Sequence, residues 1–470
     1  TNIVLTDASA PTATGDTLIS IESLLLIASG ANSLIDASGY TLGPVTIIGS
    51  GGNDTLKGGA GNDFVLARSG FDVVTGGPGN DFIAGNAGND SLSGDDGDDT
   101  IIGGRGRDTL AGGQNADVLL GMIGNDTIDG GAGADRIRGG GGRDVLNGED
   151  GPDALVGGAG RDNLAGGIGN DTLTGSGGGD SLVGNEGDDV LEGSAGNDSL
   201  SGDAGLDRAV LSADADFTLN DSLLTGIGTD TIDGLEVLQV TGGASANTID
   251  ASSLTLMSLI VSGEGGNDTV FGGALNDTIS GGEGADFANG KNGNDLVSGD
   301  GGNDTLQGGT GLDFVDGGDG DDRVLGLGSS GDTLRGGLGN DTLDGGAGTG
   351  DIISEIGDVS FTLTPAQLTG LGTDTVLNVE GAILVGGASA NAIDVSTSGV
   401  PATLTGGGGN DTITGGTAFD VLAESADVNF LLTDSTLTGL GADSFTSIET
   451  VSLSGGAGNN VLDASASSRA

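Results

Sequence analysis

Gly58-Gly59-Ala60-Gly61-Asn62-Asp63-Phe64-Val65-Leu66 decides how the chain reads, because the same nine-residue pattern continues on both sides of it. From Gly49 to Val210 there are eighteen consecutive nonapeptides without one insertion. Position 1 is Gly except at Ala67, position 4 is Gly except at Asn115, and position 6 is always Asp. Position 8 is aliphatic, as in Leu56, Val65, Val74, Ile83 and Leu92, weakening only to Ala209. A second block of ten units begins at Gly263, with single-residue insertions near Ser329 and Gly350, and a third block has two units. A fixed short period marks a solenoid, in which each repeat is one rung that buries its apolar face against its neighbours.

Written as G-G-x-G-x-D-x-U-x, with U aliphatic, the unit divides into strand and turn. Alternation makes x-U-x a three-residue strand whose middle side chain points inward. The six Gly-rich positions read as a tight turn, where glycine accepts positive φ and leaves carbonyl oxygens exposed. One carboxylate and several carbonyls per turn, stacked on a like turn, offer the roughly six to eight hard oxygen donors that calcium takes. The candidate metal ligands of the first block are therefore Asp54, Asp63, Asp72, Asp81, Asp90, Asp99, Asp108, Asp117, Asp126, Asp135, Asp144, Asp153, Asp162, Asp171, Asp180, Asp189, Asp198 and Asp207. The later blocks add Asp268, Asp277, Asp286, Asp295, Asp304, Asp313, Asp322, Asp332, Asp341, Asp351, Asp411 and Asp420.

This pattern resembles the RTX (hemolysin-type calcium-binding) repeat and is similar to that of long bacterial cell-surface RTX proteins. The resemblance implies an all-β fold: a calcium-bound parallel β-roll, or β-solenoid, with two nonapeptides per turn and calcium ions between the stacked loops. It also implies type I secretion.

Charge points the same way. Against 69 acidic residues stand 13 basic ones, a formal net charge of −56, which excludes electrostatic binding to nucleic acid or to an anionic membrane. Asp rows stacked about 4.8 Å apart repel one another, and one aliphatic side chain per nine residues does not offset the entropy of ordering them. The chain is expected to be disordered in chelator and β-structured in calcium, since an ion bound only by the folded state contributes its binding energy to folding. About one Ca2+ per nonapeptide, roughly 28 ions on the stacking logic, nearly cancels the charge. Cytosolic calcium is too scarce for this, so extracellular or cell-surface work is expected. There is no Cys. No run is apolar enough to span a bilayer, the longest being Leu24-Leu25-Leu26-Ile27-Ala28.

Four segments interrupt the repeat, giving the organisation 1–48 interlude, 49–210 block, 211–262 interlude, 263–354 block, 355–405 interlude, 406–423 block and 424–470 truncated interlude. They repeat one another: Phe217, Phe361, Phe430 and Ile3 each precede a Glu (Glu236, Glu380, Glu449, Glu22) by 19 residues, and 11 further on stand Asn247, Asn391, Asn460 and Ser33. A neutral residue where Asp would sit weakens a calcium site, so the interludes read as metal-poor rungs with a different cross-section, or as caps or hinges between blocks. Two repeats per turn give roughly 26 turns if the roll is continuous. Neither end reads as capped, so the chain is expected to be a piece of a longer protein or to stack on neighbours.

Catalysis is not expected. With no His, the imidazole bases and triads are absent, and any pair among so many carboxylates reads as structural. Glu236, Glu380 and Glu449 are expected in turn or edge roles. Arg107, Arg143 and Arg161 share position 5 and lie along one edge of the roll, as counter-charge or as a contact for an acidic partner. The expected function is a calcium-rigidified segment of a surface layer, fibre or adhesin, with self-association end to end or laterally, or with cell-surface or glycan contact. The alternative is the calcium-dependent folding and secretion region of an exported enzyme or toxin.

Overall fold

A computed structural model describes residues 2–6, 22–328 and 331–468; the insertion at Ser329, part of the first interlude and Ala470 lie outside them. Every regular element among the described residues is a β-strand. The chain forms two units, Thr1–Ser212 with Asp221–Gln239, and Ala213–Asn220 with Val240–Ala470.

Within the first unit, strands alternate between two parallel sheets, and each pairs with the strand one turn away. Thr100–Arg105 lies between Phe82–Ala87 and Val118–Ile123, with Ile101 opposite Ile83 and Leu119. Thr109–Gln114 lies between Ser91–Asp96 and Thr127–Ala132, with Leu110 opposite Leu92 and Ile128. Two nonapeptides therefore make one turn, and position 8 forms an aliphatic stack down each sheet. These side chains are fully buried: Leu56, Ile101, Leu119, Leu146 and Leu173 have no exposed surface. The second unit repeats the scheme, with Val297 opposite Ile279 and Val315, and Leu306 opposite Ala288 and Val324.

The strands are longer than the sequence pattern suggests. Most strands of the repeat blocks run six residues, such as Ser91–Asp96, taking in positions 1 to 3 of the next repeat. The reason is local: position 2 adopts φ near +75° even in non-glycine residues such as Asn86 and Asp95, a kink between two stretches of ladder pairing. The turn proper is thus only positions 4 to 6.

Together the two units hold about 22 turns among the described residues, fewer than the sequence suggests, because the interludes spend residues on hairpins. Thr373–Leu377 stacks in parallel on Thr342–Asp344, some 33 residues earlier, and pairs antiparallel with Gln367–Thr369. That strand returns antiparallel to Phe361–Leu363, which then stacks in parallel with Ala392–Asp394. The third block ends alike through Phe430–Thr433, Thr436–Thr438 and Ala442–Thr446. Phe361 and Phe430 are buried in these rungs. On the other sheet, Gly381–Val385 pairs with both Ile352–Ile356 and Ala402–Thr405, so the third interlude is a continuing rung and not a hinge.

Candidate metal centre

The Asp of position 6 follows the tight turn and precedes the inward aliphatic residue, which directs its side chain under the loops. All thirty candidate aspartates are at most 3% exposed. They line up in columns, two per unit cross-section. Along a column, Oδ1 of each Asp accepts the backbone N–H of the Asp one turn earlier: Asp90 N to Asp108, Asp108 N to Asp126 and Asp126 N to Asp144, each 2.8 Å. The neighbouring column runs Asp99 to Asp117 at 2.7 Å and Asp117 to Asp135 at 2.8 Å.

The second oxygen has no such partner. Oδ2 of Asp90, Asp126, Asp162, Asp295 and most of the others is buried and accepts no hydrogen bond, an arrangement that costs stability unless something positive meets it. Its surroundings say what could. A Cβ placed on Gly121 would lie 2.5 Å from Asp126 Oδ2 and 2.7 Å from the carbonyl oxygen of Gly139, one turn on. On Gly157 it would lie 2.8 Å from Asp162 Oδ2 and 2.9 Å from Gly175 O. A carboxylate oxygen and a carbonyl oxygen thus border one small space, which the glycine of position 1 leaves open.

Burial pushes these carboxyls up, with neighbouring carboxylates of the column adding to the effect. Asp81, Asp117, Asp153, Asp295 and Asp304 are pushed to about 7. Among the described residues no three acidic side chains form a metal-holding group by themselves, so most of the donors would be backbone carbonyls. An all-oxygen, one-carboxylate-per-loop set suits a hard divalent cation such as calcium rather than a transition metal.

Four of the aspartates differ. Oδ2 of Asp54, Asp63, Asp277 and Asp420 accepts a backbone N–H four residues earlier in its own loop, from Ser50, Gly59, Gly273 and Gly416. In the interludes, Asn247 and Asn391 likewise accept from Gly243 and Gly387, while their Nδ2 groups donate to Asp214 and Asp358. An amide donor there meets a carboxylate without any ion.

Sequence reasoning missed the far ends of the columns. Oδ1 of Asp230, Asp374 and Asp443 accepts the N–H of Asp198, Asp341 and Asp411, so one column runs on into each of these interludes. The signal was present: Gly228-Thr229-Asp230-Thr231-Ile232 has the spacing of positions 4 to 8. The other column closes on Glu236, Glu380 and Glu449, whose Oε2 accepts from Asp207, Asp351 and Asp420.

The family model of the RTX calcium-binding nonapeptide repeat matches residues 46–217, 262–357, 403–422 and 452–468 through overlapping copies. The chain belongs to the RTX calcium-binding repeat family. The columns of this RTX chain are therefore the loops of a calcium-binding β-roll, of a family typically found in secreted proteins. The last match covers the Asn460 loop, which had read as a repeat without its ligand. No curated protein matches the chain. Among the described residues no helix is long and apolar enough to cross a membrane.

Proposed function

We propose that this RTX chain is an extracellular, non-catalytic structural element: a calcium-rigidified solenoid segment of a surface layer, fibre or adhesin. The carrying observation is the row of buried, unpartnered Asp Oδ2 atoms bordered by glycine carbonyls, which makes the calcium ion part of the fold. The interior aspartates, Asp72 to Asp207, Asp268 and Asp286 to Asp341 foremost, are the proposed ligands, at about one ion per stacked loop pair. Asp54, Asp63, Asp277 and Asp420 hold theirs less firmly, because a backbone N–H already occupies the second oxygen.

Blocks of eighteen, ten and two repeats built on one rung fit a spacer, whose length varies freely, better than an active site. Sedimentation velocity in millimolar calcium and in chelator tests the assembly role. Growth in mass with protein concentration, in calcium alone, is the expected result. A calcium-folded chain that stays monomeric at all concentrations would contradict self-assembly and favour a spacer serving another domain.

A further inference from the structure

The second and third blocks each end on a buried glutamate that the repeat pattern does not assign. Glu355 and Glu424 stand at position 1 of the rung following Asp351 and Asp420, where the interior repeats carry glycine. They are 1% and 4% exposed. Oε1 of Glu355 accepts the N–H groups of Gly336 and Gly337 at 2.6 and 3.3 Å, and Oε1 of Glu424 those of Gly406 and Gly407 at 2.6 and 3.1 Å. In both, Oε2 is buried without a hydrogen-bond partner. A second carboxylate, with an unpartnered oxygen, approaches the same glycine: Asp411 Oδ2 lies 2.6 Å from the place of a Cβ on Gly406, and Asp341 Oδ2 makes the same approach at Gly336.

We infer that Glu355 with Asp341, and Glu424 with Asp411, form two calcium sites that close the second and third blocks, each with a glutamate carboxylate added to the Asp and backbone donors. The inference rests on the calcium reading of the columns and extends it to residues outside the repeat consensus. Two buried carboxylates gathered at one glycine, each with an unpartnered oxygen, demand a cation more strongly than one does. Asp374 and Asp443, next in the column, add negative charge beside each glutamate. The first block has Leu211 at the corresponding position, so its last Asp pair, Asp198 and Asp230, lacks the extra carboxylate.

The test is hydrogen–deuterium exchange on the full chain across a calcium titration, comparing wild type with E355Q and E424Q. Glutamine keeps an Oε1 acceptor for the glycine N–H groups but removes the charge. The calcium midpoint for protecting the segment around Gly336 and Gly337 should rise about tenfold or more in E355Q, as expected for a metal site losing an important group. E424Q should do the same around Gly406, and segments of the first block should keep their midpoint in both. Unchanged local midpoints, with calcium still folding every block, would overturn the proposal. So would a loss of protection that saturating calcium does not restore, which would mean that the charge serves packing instead. If calcium protects no segment of the wild type, the calcium reading of the columns itself fails, a result distinct from either.

Discussion

Gly121 and Ala67 hold the same position in their repeats, and one methyl group separates two kinds of loop. A methyl on Gly121 would press on Asp126 Oδ2 and Gly139 O, the two oxygens that face the proposed ion. Gly121→Ala should therefore raise the calcium midpoint of that part of the roll and cost about 1–3 kcal/mol in calcium, as overpacking does; calcium-dependent chemical denaturation measures both. Ala67 is fully buried and carries a natural methyl at position 1 of the repeat that holds Asp72. Ala67→Gly should lower the calcium midpoint of the Asp72 loop, read by hydrogen–deuterium exchange, and an unchanged midpoint would show that the methyl does not weaken the site. The preference for Gly at position 1 was legible in the sequence, but its reason was not. Positive φ is the requirement at position 4, as at Gly97 with φ 138°, whereas position 1 needs empty space beside an oxygen on the next turn. That contact links residues 18 apart, and no local propensity records it.

At the scale of the element, the nonapeptide phase announced the stacked strands, their inward aliphatic row and the Asp columns. It understated strand length, because a glycine-rich segment with one kink at position 2 still pairs along its ladder. The interludes were recognisable as repeats of one another, yet their antiparallel hairpins were not. A turn such as Gly370–Gly372 reads like another calcium loop, and only the tertiary partner of Thr373–Leu377 shows that the chain has doubled back. Phe361 anchors this rung with no exposed surface, taking the place that small aliphatic residues fill elsewhere. Phe361→Ala should cost about 3–5 kcal/mol, read as faster amide exchange in the rung around 361–394. Equal loss of protection in the first block would contradict the nearest-neighbour character of a solenoid.

Across the whole molecule, the formal net charge of −56 counts many carboxyls that burial pushes upward. A carboxyl whose value is raised in the folded state stabilises that state fully below its unfolded value, near 4, and loses this contribution as pH rises through about 7 for groups such as Asp117 and Asp304. In chelator, strand content should therefore increase as pH falls from 7 towards 5, protons replacing part of the missing cation charge. In calcium the trend reverses, since protons compete for the same Oδ2 atoms. Much of the calcium chemistry was thus legible from the spacing of one carboxylate, while the Glu-closed block ends needed the packed structure. The most direct test is far-ultraviolet circular dichroism at pH 7 in millimolar calcium and then in excess chelator. The account predicts a β spectrum that collapses to coil on chelation and returns when calcium is restored. A β spectrum that persists in chelator would contradict it, because the Asp columns would then be tolerated without a cation.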